Sequence, residues 1–330
     1  MWIAGLLLAL YFATICHMII HEAGHLLFGH LTGYRFSSFR ILSFMWVKKD
    51  EQVSLHRLSI PGTGGQCLMS PPEMVDGKIP VILYNLGGSL MNILIGFIFL
   101  VLYWAFIAVP FLSSVMLIFA LVGFIFGILN GVPMRLGTVD NDGYNAYSLT
   151  RTPQAMRAFW IQMKINQQIS EGKRLKDMPD EWFQFPADEE LKNSMVAVIG
   201  VFSCNRLIDQ HRFDQAKQQM KHMLKIESGM VGIHRRMMIC DRLYLELIGK
   251  NRPEIRQHFL SPQQMKFMHT MRQFPSVLRT KYAYSLLADK DAPQAQALLD
   301  QFEKAASVYP YPNEVEAERE LIEIAQHINI

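Results

Sequence analysis

The run "ICHMIIHEAGHLLFGH", which starts at Ile15, holds His21, Glu22 and His25 in the spacing H-E-x-x-H. Residues four apart share one face of a helix. A helix here would turn two imidazoles toward one metal ion, with Glu22 one position along and close enough to handle a water held there. Imidazole and carboxylate ligands suit zinc, and a catalytic zinc site keeps one position open for water, whose pKa the metal lowers to about 7. Glu22 could then take a proton from that water and pass it to a leaving amine. The pattern points to metal-assisted hydrolysis of a peptide bond. Two histidines leave the ligand set incomplete, so a third protein ligand must come from elsewhere in the chain.

The surroundings of the motif are apolar. From Met1 to Leu31 the only formally charged residue is Glu22. The run from Trp2 to about Leu31 exceeds the roughly 20 apolar residues that cross a bilayer. It lacks a basic n-region and a convincing small-residue cleavage site, so it reads as a retained transmembrane helix rather than a signal peptide. Ionisable groups in such a helix are costly and mark function by default, and this one carries His17, His21, Glu22, His25 and His30. His17, one turn before His21, reads as a partner of that ring or as a cavity-lining residue.

The positioning elements follow from charge. No Asp, Glu, Lys or Arg occurs between Ile79 and Met134. That run is too long for one helix and breaks at Pro110, giving expected spans at about 80–108 and 111–130 beside the first at 2–31. After Gly143 charged residues become frequent. The expected division is a membrane part, 1–143, and a helical soluble part, 144–330, long enough to bury its own core. Arg35, Arg40, Lys48, Lys49, Arg57 and Lys78 fall between spans one and two, and no charge falls between spans two and three. The positive-inside rule then places 32–79 and the tail in the cytoplasm and the N-terminus outside. The formal net charge of +3, without a basic stripe, gives no sign of a nucleic-acid partner. Cys16, Cys67, Cys204 and Cys240 are scattered and form no C-x-x-C pair, which fits a reducing compartment.

Within 32–79, "FSSFRILSFMWV" and "QVSLHRLSI" read as a β-hairpin turning at "KKDE". "PGTGGQCLMSPPE" then reads as an apolar loop dipping toward the membrane, which requires a protein-lined or watery cavity nearby. In the tail, "DQHRFDQAKQQMKHML", "GKNRPEIRQHFL" and "DKDAPQAQALLDQF" each resemble the turn and second helix of a helical hairpin. Ala216, Ile255 and Ala295 occupy matching places. This period is that of a tetratricopeptide-like solenoid, with a concave surface for a peptide or protein partner; an irregular helical domain is the plainer alternative.

The third ligand is sought near the end of span three, where "NGVPMRLGTVDNDGYN" holds Asp140 and Asp142. Here the residues resemble the site-2 proteases, intramembrane zinc metalloproteases. "HEAGH" matches their first core helix, and "NLGGSLMN", ending at Asn92, matches their Gly-rich middle helix. "NGVP" followed by "DNDG" is similar to their third-helix motif, whose Asp completes the zinc site. The "IPGTGGQ" loop resembles their membrane-facing loop. The likeness covers about 14–145 and leaves out the tail. The insertion "MRLGTVDN" lengthens the Asn-to-Asp distance and leaves two aspartates. The resemblance favours Asp142, because Gly143 follows it, with Asp140 as the alternative.

The resemblance implies a three-helix membrane core with a small β-hairpin insertion, Zn2+ held by His21, His25 and Asp142, and Glu22 as general base. Asn92 and Asn130 could bond a substrate backbone or the developing oxyanion, or serve as packing glue between helices. The expected enzyme is an intramembrane zinc endopeptidase of a bacterial plasma membrane, cutting membrane-inserted substrates. A catalytically inactive scaffold whose tail recruits a partner is the rival reading.

Overall fold

The computed structural model describes residues 2–49, 52–61, 63–135 and 140–328. Residues 50 and 51, where the hairpin was expected to turn, and 136–139 of the insertion before Asp142 lie outside the described residues. Among the described residues three helices are long and apolar enough to cross a membrane: α1 (Trp2–Leu31), α2 (Val81–Ala105) and α3 (Pro110–Gly131). They fall where the charge-poor runs place them. Pro110 opens α3 as its first residue, where its missing N–H costs nothing. Pro133 helps to stop it, since the residue before a proline is pushed out of helical backbone. At 1.5 Å per residue His21 lies about 29 Å along α1 from Trp2, close to the roughly 30 Å depth of a hydrocarbon core.

Between the first two helices come four strands: β1 (Arg35–Ile41), β2 (Phe44–Lys49), β3 (Gln52–Arg57) and β4 (Gly65–Ser70). After α3 come α4 (Asp142–Arg151) and α5 (Pro153–Ser170), then α6 (Ser194–Asp209), α7 (Phe213–Lys225), α8 (Gly232–Leu247), α9 (Pro253–Phe259) and α10 (Pro262–Thr270). The chain ends with α11 (Pro275–Tyr284), α12 (Ala292–Ala306) and α13 (Pro312–Gln326). It divides into two compact units, Met1–Leu42 with Thr63–Met163, and Ser43–Gly62 with Lys164–Ile330.

In the first unit α1 and α2 meet at glycine. A Cβ on Gly24 would stand 2.3 Å from Gly87 O, so only hydrogen fits there. Small residues that let backbones close up are the usual device for helix pairs in lipid, where no hydrophobic force drives association. Ala13 of α1 packs with Phe119 and Val122 of α3. Leu7, Leu8, Phe97, Val101 and Ile125 remain exposed, as lipid-facing side chains would be.

The sheet departs from the sequence expectation. The stretch read as one strand is two, because Leu42 takes a left-handed conformation (φ 53°) and ends β1. β1 pairs antiparallel with β4, with Phe39 opposite Cys67. The stretch read as a dipping loop therefore contains a strand, with Cys67 and Met69 turned inward at period two.

In the second unit β2 and β3 form the hairpin, with Trp46 opposite Leu55. Met45, Val47 and Leu58 pack against Phe274, Tyr309 and Tyr311. The helices follow one another as hairpins, α6–α7, α8–α9 and α11–α12. Each bends at a left-handed residue: His211 (φ 56°), Asn251 (φ 51°) and Lys290 (φ 56°). Ala216 and Ala295 are buried at matching places in α7 and α12, and Ile255 in α9 is half-buried.

Two buried arginines tie the helices together. Arg174 bonds Asp209 of α6 and Glu320 of α13. Arg279 of α11, 1% exposed, bonds Asp241 of α8 at 2.6 Å and Glu318 of α13 at 2.8 Å, over the Tyr244 ring. Arg279→Ala strands two carboxylates without their cation and should cost about 3–5 kcal/mol. The denaturant midpoint of the full-length protein in detergent measures it. A loss no larger than the ~1 kcal/mol of a surface pair would contradict the assignment.

Candidate metal centre

His21 and His25 sit on one face of α1, both buried, and Asp142 opens α4. The fold brings these three to one point. His21 Nε2 lies 3.0 Å from Asp142 Oδ2, His25 Nε2 lies 3.4 Å from the same oxygen, and the two Nε2 atoms are 3.1 Å apart. Among the described residues they are the group of three His, Cys, Asp or Glu side chains able to share an ion. Ligand atoms at the usual 2.0–2.1 Å from a tetrahedral ion stand roughly 3.3 Å apart, so the triad has the spacing a metal requires. Asp142 Oδ2 is buried with no hydrogen-bond donor of its own, as a ligand oxygen would be. Burial alone would raise the Asp142 pKa, but the adjacent His25 and His21 hold the carboxyl below the usual carboxylate range, so it is ionised and fit to bind a cation.

The neighbours orient the rings. His25 Nδ1 donates to Tyr84 O at 2.8 Å, which leaves Nε2 as the nitrogen that would offer its lone pair to an ion. Asn92, fully buried in α2, bridges two rings, its amide 2.9 Å from His17 Nδ1 and 3.2 Å from His21 Nδ1. Asn130 bonds within its own helix, to Phe126 O at 3.0 Å, rather than to the triad. Asp140 lies in a short bridge with Arg135 and pairs with its Nε at 3.3 Å.

Glu22 is buried, and its carboxyl fills the space left by a missing side chain. A Cβ on Gly65 would stand 2.5 Å from Glu22 Oε1. The strand end that carries Gly65 is pinned by Arg40 of β1, 1% exposed, which donates to Leu42 O (2.8 Å), Thr63 Oγ1 (2.5 Å) and Gly65 O (3.2 Å). Burial pushes the Cys67 thiol up, so it is inert as a nucleophile.

Sequence reasoning missed Asn141. Its Oδ1 accepts from Tyr144 N (2.9 Å) and Met134 N (3.0 Å), and its Nδ2 donates to Leu129 O (2.8 Å) and Val132 O (2.6 Å). One buried amide thus caps α4 and satisfies carbonyls left open at the end of α3. It fixes Asp142 against the triad. The signal was present as an Asn directly before the first helical residue of "DNDG". Asn141→Ala should destabilise by about 0.5–2 kcal/mol and weaken metal retention by about 10–100-fold. Metal titration of the purified variant reads this, and unchanged retention would show that α4 is placed by other contacts.

A peptidase M50B-like family model matches residues 2–167. The chain belongs to the peptidase M50B-like family. The match supports the resemblance to site-2 proteases and spans half of the chain, including all of the first two helices, α3 and the Asp142 region. Peptidase M50B-like membership and the three apolar helices together make this a membrane peptidase. The His-His-Asp group accords with a family whose members are generally metallopeptidases. No curated protein and no solved structure matches the chain.

Proposed function

We propose that the protein is an intramembrane zinc endopeptidase that cuts peptide bonds in or near membrane-inserted segments. The observation that carries this is the convergence of His21, His25 and Asp142 on one point beside the buried Glu22, on helices apolar enough to lie in a bilayer. His21, His25 and Asp142 would hold the ion. When bound, zinc supplies Lewis acidity to the scissile carbonyl and to the attacking water. Glu22 accepts that water's proton and delivers it to the leaving nitrogen. Tyr84 O holds the His25 imidazole in the orientation the ion needs, and Asn92, in contact with the His21 ring, acts as a positioning residue for it. Arg40 and Gly65 shape the pocket around the Glu22 carboxyl.

The motif lies in a membrane helix because the substrate lies there. A helical substrate must open locally before its carbonyls are accessible, and the opened strand needs backbone partners. Among the described residues β4 pairs as a strand with β1 alone, and it begins beside Glu22. A substrate strand adding to its open edge would satisfy that need. Proline substitutions along β4 that remove edge donors should lower cleavage while zinc content stays unchanged; cleavage that survives every such substitution overturns the strand-addition idea.

The reading as a whole is tested by presenting one cleavable sequence in two settings, in a single-span membrane substrate and in a soluble carrier, to the detergent-purified enzyme. Cutting of the membrane form, lost on chelation and restored by zinc, is expected. Cutting of the soluble form alone contradicts it. The helical hairpins of the tail suit a tetratricopeptide-like partner-binding surface. The loop charges between α1 and α2 support a cytoplasmic side for that surface, in our reading the cytoplasm of a bacterial cell.

A further inference from the structure

The second unit holds a half-open cavity of about 300 Å3, lined by α6, α8, α11 and α13 and by the end of α5 with the segment that follows it. That is the lower end of the range for small-ligand sites. Part of its wall is apolar, with Ile208, Met237 and Phe274. The polar part is uneven in charge. Three of its carboxylates are matched by arginine: Asp209 by Arg174, and Asp241 and Glu318 by Arg279. Glu314 also lines the cavity. Among the described residues it has no cationic partner, and its side-chain bond is to the Tyr309 hydroxyl.

Next to it stands Asn313, 7% exposed, on the same wall. Its Nδ2 donates to Lys173 O at 2.6 Å, which fixes the amide's orientation and leaves Oδ1 as the free end. That oxygen is buried without a hydrogen-bond partner. A buried acceptor left unmatched costs about 1–3 kcal/mol unless something donates to it. A carboxyl without a cationic partner and an unmatched carbonyl oxygen on adjacent residues call for the same thing, a group rich in N–H donors that also carries positive charge. Burial pushes the Glu314 carboxyl up to about 7, so it stands ready to ionise when such a group arrives.

We propose that this cavity binds a primary ammonium on an apolar body, with the ammonium on the Glu314 carboxylate and Asn313 Oδ1 and the body against Phe274 and Met237. Two sources supply that chemistry, a free aliphatic amine and the lysine side chain of a peptide lying along the helices. The site is separate from the metal triad and does not depend on the peptidase reading.

The test is calorimetric titration of the full-length protein in detergent with n-pentylammonium, with its neutral isostere n-pentanol, and with an acetylated Ala-Lys-Ala amide. A charge-assisted hydrogen bond contributes about 1.5–3 kcal/mol, so pentylammonium should bind at least about tenfold more tightly than pentanol. Glu314→Gln should remove about that factor while leaving pentanol binding unchanged. The substitution is isosteric and removes a group whose stabilising contribution is present below pH 4.5 and lost as pH rises toward about 7, so the variant should fold at neutral pH. Pentylammonium binding without the peptide assigns a free amine, and tighter binding of the peptide assigns a lysine-bearing partner. Equal affinity for pentylammonium and pentanol in the wild type, a comparison that needs no variant, overturns the proposal. So does failure of both ammonium probes to bind at millimolar concentration, or a Glu314→Gln protein that folds and binds pentylammonium as the wild type does.

Discussion

Glu22→Gln should leave the metal in place and lower kcat/KM on a single-span substrate by about 10²–10⁴-fold, the usual worth of a positioned general base. The amide has the carboxylate's shape, so the pocket against Gly65 is still filled, but it cannot accept the water's proton. The ligand atoms belong to His21, His25 and Asp142, so metal content should be unchanged. The two readouts separate the alternatives. Loss of metal together with activity would make Glu22 a ligand. Retention of both would put the base elsewhere.

Asp142→Asn should strip the site of its ion, whereas Asp140→Asn should spare it. Asp142 Oδ2 stands 3.0 and 3.4 Å from the two Nε2 atoms, and its loss removes both a ligand and the one negative charge in the triad. The fall in metal affinity should exceed the about 10–100-fold that an outer partner costs. Asp140 pairs with the solvent-exposed Arg135 instead, and a pair with one exposed partner contributes about 1 kcal/mol or less. Equilibrium dialysis against zinc, run on both variants, decides between the aspartates. Equal loss in the two would mean that the loop before α4 carries the ligand set in a different register.

The parts of this molecule that were legible in the sequence are those written in local pattern. Runs with little or no charge marked the three apolar helices, since charge is what a hydrocarbon core excludes. The spacing of His21 and His25 fixed a shared helix face before any fold was known. The tail's hairpins were legible as a period near forty, and the left-handed residues at His211, Asn251 and Lys290 now mark the bends of that period. Asp142 was reachable only through the resemblance, because spacing alone left Asp140 open.

What escaped reading depended on distant partners. Arg40 looked like one more loop cation, yet it is buried because β4 and the 63–65 segment fold back over it. β4 was hidden in a Gly- and Pro-rich stretch, and its pairing with β1 is a long-range event. Asn92 was visible as a polar residue in an apolar helix, but its contacts with His17 and His21 were not. Asn141 was overshadowed by the aspartates on either side, although its four bonds set where Asp142 points.

The central claim is that His21, His25 and Asp142 hold one catalytic zinc ion. The measurement that tests it most directly is the metal content of the purified full-length protein, taken with cleavage of a single-span substrate before and after chelation. About one zinc per chain is predicted, with activity that disappears on chelation, returns with zinc, and is absent with the metal in His25→Ala. A protein that stays metal-free after reconstitution with zinc, or one that cuts equally well after chelation, would contradict it.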